Sequence, residues 1–310
     1  MEDVTDTVFR RIVAECGRPD VMVTEFTSVE GLASEYGHNK VVHRLQYTEQ
    51  ERPLVAQIWG ITPEHYYQAA KFAREQGFDG LDINMGCPVK KVIKQGACSA
   101  LIQTPSLATD VIQAAQEGAG DMPVSVKTRI GFKEIQTEDW IGHLLTLGLP
   151  ALAIHMRTVR DLSDVPARWE EMQRIITLRN AESPDTLIIG NGDITSYQQG
   201  LDLVAQYGMD GVMIGRGVFG NPWIFDSTIN PEQKTVEERL SLLQRHVHLF
   251  DQTWGTTKNF AIMKKFFKVY IQGFPGAQVV RSELMQCATA SEVIEKVDEL
   301  LKRGKTTPFS

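Results

Sequence analysis

The chain has 310 residues, a formal net charge of −7, 42% hydrophobic and 23% charged residues, the balance of a globular protein with a large core. No run approaches the ~20 apolar residues needed to span a bilayer, and the acidic opening Met1-Glu2-Asp3-Val4-Thr5-Asp6 lacks an apolar leader core, so membrane and secreted classes are excluded. Cys16, Cys87, Cys98 and Cys287 include no Cys-x-x-Cys pair, which argues against a disulfide framework or a zinc site and places the chain in the reducing cytoplasm.

A helix is expected over Thr7–Ala14, with Asp3 or Thr5 as its N-cap. Apolar, β-rich runs follow at Val21–Glu25, Leu54–Trp59, Leu81–Asn84, Val124–Lys127, Ala151–His155, Leu187–Gly190 and Val212–Ile214. Their spacing, about 25 to 43 residues, is that of a strand, a helix and two loops. Between them, Tyr66, Ala69, Ala70 and Ala73 form a helical stripe ending at Gly77, and Leu201, Val204 and Ala205 form another before Gly208. The junction Gly77-Phe78-Asp79-Gly80-Leu81-Asp82-Ile83 resembles Gly208-Met209-Asp210-Gly211-Val212-Met213-Ile214. In both, a glycine helix cap leads straight into a buried parallel strand.

Repeated βα units predict an α/β fold, a (β/α)₈ TIM barrel, with seven of its eight strands visible. The polar segment 226–235 reads as a linker. Residues 236–270 and 290–303 read as helices around the Gly273–Gly276 turn. From Lys234 onward the chain carries 12 basic and 8 acidic residues, against 20 and 31 before it, so a basic helical module follows an acidic body. The expected domains are a catalytic barrel over 1–228 and a helical domain over 236–310.

In such a barrel the chemistry gathers at the C-terminal strand ends. Those ends carry Glu25; Gln57; Asn84 and Cys87; Lys127 and Arg129; His155 and Arg157; Asn191 and Asp193; Gly215 and Arg216. A lone cysteine or histidine is commonly a packed core group; seven polar strand ends on one rim are hard to explain as packing. Gly190-Asn191-Gly192-Asp193 and Gly215-Arg216-Gly217 follow the strands whose loops hold phosphate in this barrel, where glycine allows backbone N–H groups close to an anion and Arg216 adds a cation. Gly215-Arg216-Gly217-Val218-Phe219-Gly220 also fits a dinucleotide fingerprint, but Asn221-Pro222-Trp223 replaces the second βα unit that the fingerprint needs. No His/Asp/Glu set has metal-ligand spacing, so no metal is expected. A flavin suits the rim better. Lys127 fits the N1–C2 edge of a reduced flavin, and Gln57 and His155 fit its hydrogen-bonding edge. The turn Asn84-Met85-Gly86-Cys87-Pro88 presents a thiol that is mostly protonated near its ordinary pKa of ~8.5 and so serves as a general acid, unless neighbouring cations depress it.

The chain resembles the tRNA-dihydrouridine synthase family, in its bacterial B-type branch, from Met1 to about Leu301. The resemblance rests on Gln57, Asn84–Pro88 with Lys90-Lys91-Val92, Gly96, Ser99-Ala100-Leu101, Val124–Lys127 with Arg129, and His155 with Arg157-Thr158. It continues through Asn191–Asp193, Met213–Arg216, Asn221–Phe225 and Gly273–Ala277 with Arg281. The resemblance implies an FMN enzyme that uses NADPH or NADH to reduce the 5,6 double bond of uridine in tRNA. Cys87 would donate the proton to C5. Met1, Gln57, Lys127, His155, Asn191, Gly192, Asp193, Gly215 and Arg216 would hold cofactor, and Asn84, Arg129, Lys90, Lys91 and Arg157 substrate. Lys94, Arg160, Lys264, Lys265 and Lys268 are further RNA-contacting candidates. A monomer is expected.

Two departures bear on these expectations. His155-Met156-Arg157-Thr158 stands where the family has His-Gly-Arg-Thr, which predicts a bulky side chain near the pocket. The family also places an apolar strand just before the position of Met1, so the chain is expected to lack strand one and to bind FMN weakly. The rival readings are a small-substrate FMN reductase on the same barrel, which needs no basic tail, and a flavin-free RNA-binding protein.

Overall fold

The computed structural model describes residues 4–304. The chain divides into two compact units: residues 4–6 with Asp20–Gly215, and Thr7–Pro19 with 216–304. The helix expected near the N-terminus forms over Thr7–Cys16 (α1), and it groups with the C-terminal helices rather than with the strands.

The first unit is an arc of parallel strands backed by helices. Its strands are β1 (Met22–Val23), β2 (Thr27–Ser28), β3 (Leu54–Trp59), β4 (Gly80–Asn84), β5 (Val124–Arg129), β6 (Ala151–His155), β7 (Leu187–Asn191) and β8 (Gly211–Met213). β1 and β2 pair with successive parts of β3, and from β3 to β8 each strand pairs in parallel with the next. Among the described residues no ladder joins β8 to β1, so the sheet is an open arc of barrel type.

Of the run expected as a strand at Val21–Glu25, only Met22–Val23 is strand, and β2 begins beyond it at Thr27. Gln57 N donates to the Thr24 hydroxyl at 2.9 Å, so a side chain replaces a backbone acceptor in the ladder. Elsewhere the expected strands form within one or two residues. Longer helices run over Pro63–Glu75, Pro105–Ala119, Met172–Glu182 and Tyr197–Tyr207. The Tyr66, Ala69, Ala70 and Ala73 stripe is buried, and Gly208 closes its helix in the left-handed conformation.

Strand alternation decides what faces the interior. On β5, Val124, Val126 and Thr128 are buried, while Ser125, Lys127 and Arg129 share the opposite face. On β4, Asp82 and Asn84 share a face in the same way. Register puts Asp82 opposite both Gln57 and Ser125, Asn84 opposite Lys127, Arg129 opposite His155, and His155 opposite Asn191. Polar side chains thus occupy positions where a barrel ordinarily packs branched apolar layers.

The second unit is helical. The long helix Val236–Trp254 starts from a capping box between Thr235 and Glu238. The helix expected to continue to residue 270 stops at Gly255, whose φ of +47° favours glycine. A 3₁₀ stretch, Phe260–Phe266, and the helix Phe267–Tyr270 follow. A helix at Ala277–Gln286, absent from the sequence expectation, precedes Ala290–Gly304. Phe9 of α1 packs 4.9 Å from Phe266 and 5.7 Å from Phe219, ring centre to centre. The buried pair His246 and Tyr270, joined by a 2.7 Å hydrogen bond, completes this core.

Candidate active site

The Cys87 turn is held from both sides of its backbone. Asn84 Oδ1 accepts from the N–H groups of Gly86 and Cys87, each at 3.0 Å. Ser99 Oγ donates to the Cys87 carbonyl at 2.7 Å, and Arg129 Nε donates to the Gly86 carbonyl at 2.8 Å. The half-buried thiol residue packs with Trp59 against Val92, Ala97 and Cys98. Cys87 is therefore presented by a fixed turn.

Lys127 projects from β5 beside this turn. Its ammonium donates to Asn191 Oδ1 at 3.2 Å. Burial, with Arg129 as a second cause, brings it from 10.5 down to about 8, while the charges of Asp82 and Cys87 act in the opposite direction. Asn191 is fixed in turn by donating from Nδ2 to the Met213 carbonyl at 2.8 Å. Gln57 and Asn84, both buried, are joined by a 3.0 Å bond from Asn84 Nδ2 to Gln57 Oε1. Sequence reading put these residues at strand ends; the structure pairs Lys127 with Asn191 and Asn84 with Gln57.

Arg129 and Arg157, expected to contact substrate, are both buried. Arg129 is 4% exposed and donates to the carbonyls of Gly86, Thr158 and Leu162. Arg157 is 2% exposed; it is paired with Asp193 and donates to the Val165 carbonyl. Both guanidiniums brace loops of the rim. Arg157 Nη1 also meets His155 Nε2 at 3.1 Å. Arginine only donates, so Nε2 is the acceptor and the neutral ring carries its proton on Nδ1.

Asp193 Oδ2 accepts from both Arg157 and the Ala167 N–H, and the residue's backbone lies in the left-handed region at φ +54°, a conformation that can turn an N–H towards an anion. A side chain at Gly192 would press to 2.8 Å from Ala167 Cβ. Nothing lies within 4 Å of the Cβ position at Gly215, so open space borders that loop. Arg216 is exposed and belongs to the second unit. Lys90, Lys91, Lys94 and Arg160 are exposed. Met1 lies outside the described residues. Met156 is fully buried, and its N–H donates to the Asn191 carbonyl. The bulk expected near the pocket is thus packed into the protein.

Sequence reading gave no site role to Asp82, Ser125 or Ser99. Asp82 accepts from Gln57 Nε2 at 2.8 Å and Ser125 Oγ at 2.7 Å. The alternation Asp82-Ile83-Asn84 carried the signal, since it puts Asp82 on the face of Asn84. Among the described residues no three His, Cys, Asp or Glu side chains gather as a metal cluster.

The fold and rim define a TIM-barrel protein. Morphinone reductase superposes with a TM-score of 0.52 over 73% of this chain and 81% of that one, at 14% identity. A 2-naphthoyl-CoA reductase complex gives 0.54 over 74% and 47%, at 10% identity. The chain belongs to the dihydrouridine synthase family, whose family model matches residues 1–305. It is 44% identical over 305 residues to the probable tRNA-dihydrouridine synthase 2 of Bacillus subtilis (strain 168), covering 98% of this chain and 93% of that protein. The probable tRNA-dihydrouridine synthase of Staphylococcus aureus (strain MRSA252) is 43% identical over 301 residues, covering 96% and 90%.

Proposed function

We propose that this protein reduces the 5,6 double bond of uridine in tRNA, with FMN as cofactor and NADPH or NADH as reductant. The observation that carries this reading is the rigid Cys87 turn beside a partly desolvated lysine, in a chain of this family. The residues fit FMN: a left-handed Gly192-Asp193 turn and the open Gly215 loop suit a phosphate, and Lys127, Gln57 and His155 suit the polar edge of the ring system. When bound and reduced, FMN supplies the hydride for C6.

The chain's own residues supply the rest. Cys87 Sγ–H donates the proton to C5, so the double bond gains one hydride and one proton. Lys127 keeps a positive charge in the rim, Asn84 orients the turn and offers its amide edge to uracil, and Arg129 and Arg157 hold the loops in place. Lys90, Lys91, Lys94 and Arg160, with Lys265 and Lys268 of the helical domain, read the RNA backbone. Lys264 also serves the domain's own fold, since its ammonium donates to the Met285 carbonyl at 2.7 Å in the last turn of its helix. A monomer acting in the cytoplasm meets these requirements. No helix among the described residues is long and apolar enough to cross a membrane.

The test is dihydrouridine formation in undermodified tRNA incubated with the FMN-loaded protein and NADPH. Product with tRNA and none with free uridine is expected. Reduction of free uridine alone supports the small-substrate reductase, and tRNA binding without turnover by flavin-loaded protein supports an RNA-binding role.

A further inference from the structure

Behind the Cys87 turn runs a chain of hydrogen bonds, all donated in one direction. Gly86 and Cys87 N–H donate to Asn84 Oδ1 at 3.0 Å. Asn84 Nδ2 donates to Gln57 Oε1 at 3.0 Å, and Gln57 Nε2 donates to Asp82 Oδ2 at 2.8 Å. The chain ends on a carboxylate that is 3% exposed and whose other oxygen accepts from Ser125 Oγ.

A primary amide has a donor end and an acceptor end, so two amides in series can run either way. Backbone N–H groups at one end and an acceptor-only carboxylate at the other select the same direction. Bonds aligned head to tail also polarise one another, and a terminal negative charge strengthens each of them. Strand register builds the arrangement, because Asp82 stands opposite Gln57 on one side and Ser125 on the other.

We propose that Asp82 is a positioning residue for the Cys87 turn: it fixes the direction of the Gln57–Asn84 amide pair, and thereby where the thiol sits. Asp82 reaches the turn through those two amides. The effect on the turn is independent of what Cys87 does; the effect on dihydrouridine formation rests on Cys87 being the proton donor. Burial pushes Asp82 from 3.8 up to about 6, so at neutral pH the fold bears a charge that its surroundings disfavour.

The experiment compares Asp82→Asn and Asp82→Leu in the FMN-loaded protein. Four quantities are read: alkylation of Cys87 by iodoacetamide, followed by peptide mass spectrometry; melting temperature; NADPH oxidation by dioxygen; and single-turnover dihydrouridine formation. Asparagine can still accept from Gln57 and donate to Ser125 Oγ, so Asp82→Asn should alkylate near the parental rate and melt at or above the parental temperature at pH 7. Leucine removes the acceptor. Asp82→Leu should alkylate several-fold faster and form dihydrouridine about tenfold or more slower, a misplacement effect, with NADPH oxidation near the parental rate. A folded Asp82→Leu protein with parental alkylation and product formation overturns the proposal.

If Asp82→Leu does not fold, Asp82→Ala removes the same acceptor with a smaller side chain. Cys87 alkylation must then accelerate as well, and a parental rate overturns the proposal. The Cys87→Ala protein separates the two readings. If it still forms dihydrouridine, the proton-donor assignment falls, while the alkylation results continue to decide the role of Asp82.

Discussion

The strand-end rim of the first unit and the aromatic core of the second use burial in opposite ways. In the rim, β4 and β5 turn Asp82 and Lys127 inward, and burial moves both from their ordinary values, to about 6 and about 8. In the helical unit, Phe9, Phe219 and Phe266 pack ring to ring, and the buried polar groups His246 and Tyr270 satisfy each other. A buried, aromatic helical core stores stability; a rim of desolvated charges spends it on a preorganised site.

Linkage makes the cost explicit. Between 3.8 and about 6 the folded chain holds more protons on Asp82 than the unfolded chain, so this group's contribution to stability falls as pH rises through that window. Between about 8 and 10.5 the folded chain holds fewer protons on Lys127, so its contribution rises with pH there. Both charges are therefore most costly between about 6 and 8.

The sharpest way to break the comparison is chemical. Cys87→Ala should lower single-turnover dihydrouridine formation by about 10²- to 10⁴-fold, the usual share of a general acid, with flavin content and NADPH oxidation unchanged. Next in size is Phe9→Ala, which empties the centre of the helical core. It should cost about 3–5 kcal/mol in urea unfolding and leave FMN affinity of the folded protein unaltered.

Lys127 gives a smaller, pH-dependent effect. If its ammonium helps to hold FMN, affinity should fall about tenfold as pH rises through about 8, the loss of one charge-assisted bond. Flavin fluorescence titrations at several pH values check this, and Lys127→Met should be weak and flat across the range. Replacing the exposed Lys265 and Lys268 with Ala should lower the salt slope of tRNA binding by ~0.9 for each duplex phosphate no longer neutralised, or ~0.7 for a single strand. Smallest is Thr235→Ala, which removes the capping-box hydroxyl of helix Val236–Trp254 and should cost about 1 kcal/mol by the same unfolding measurement.

Local chemistry made much of the molecule legible in the sequence. Apolar runs bounded by glycines marked the strands from Leu54 to Ile214, because a buried parallel strand needs little more than a continuous apolar run and a capped helix before it. The Asn84–Pro88 turn, Lys127, His155 and Asn191 were visible as a polar rim because each sits at or just past a strand end. The partners of Arg129 and Arg157 were not legible. Their guanidiniums are taken up by Gly86, Thr158, Leu162, Val165 and Asp193, groups that loop closure, and not local pattern, brings to them.

The sequence by itself determined the parallel-strand architecture, the strand-end position of the thiol turn and the helical character of the C-terminal unit, since each depends on periodicity and capping within a few residues. Only the tertiary structure decided that α1 joins the C-terminal helices, that helix Val236–Trp254 ends at Gly255, and that Met156 turns into the core. It also decided that Asp82 meets Gln57 and Ser125. The physical reason is register: which side chains stand opposite one another follows from pairing between strands some 25 to 43 residues apart, and no local pattern encodes that.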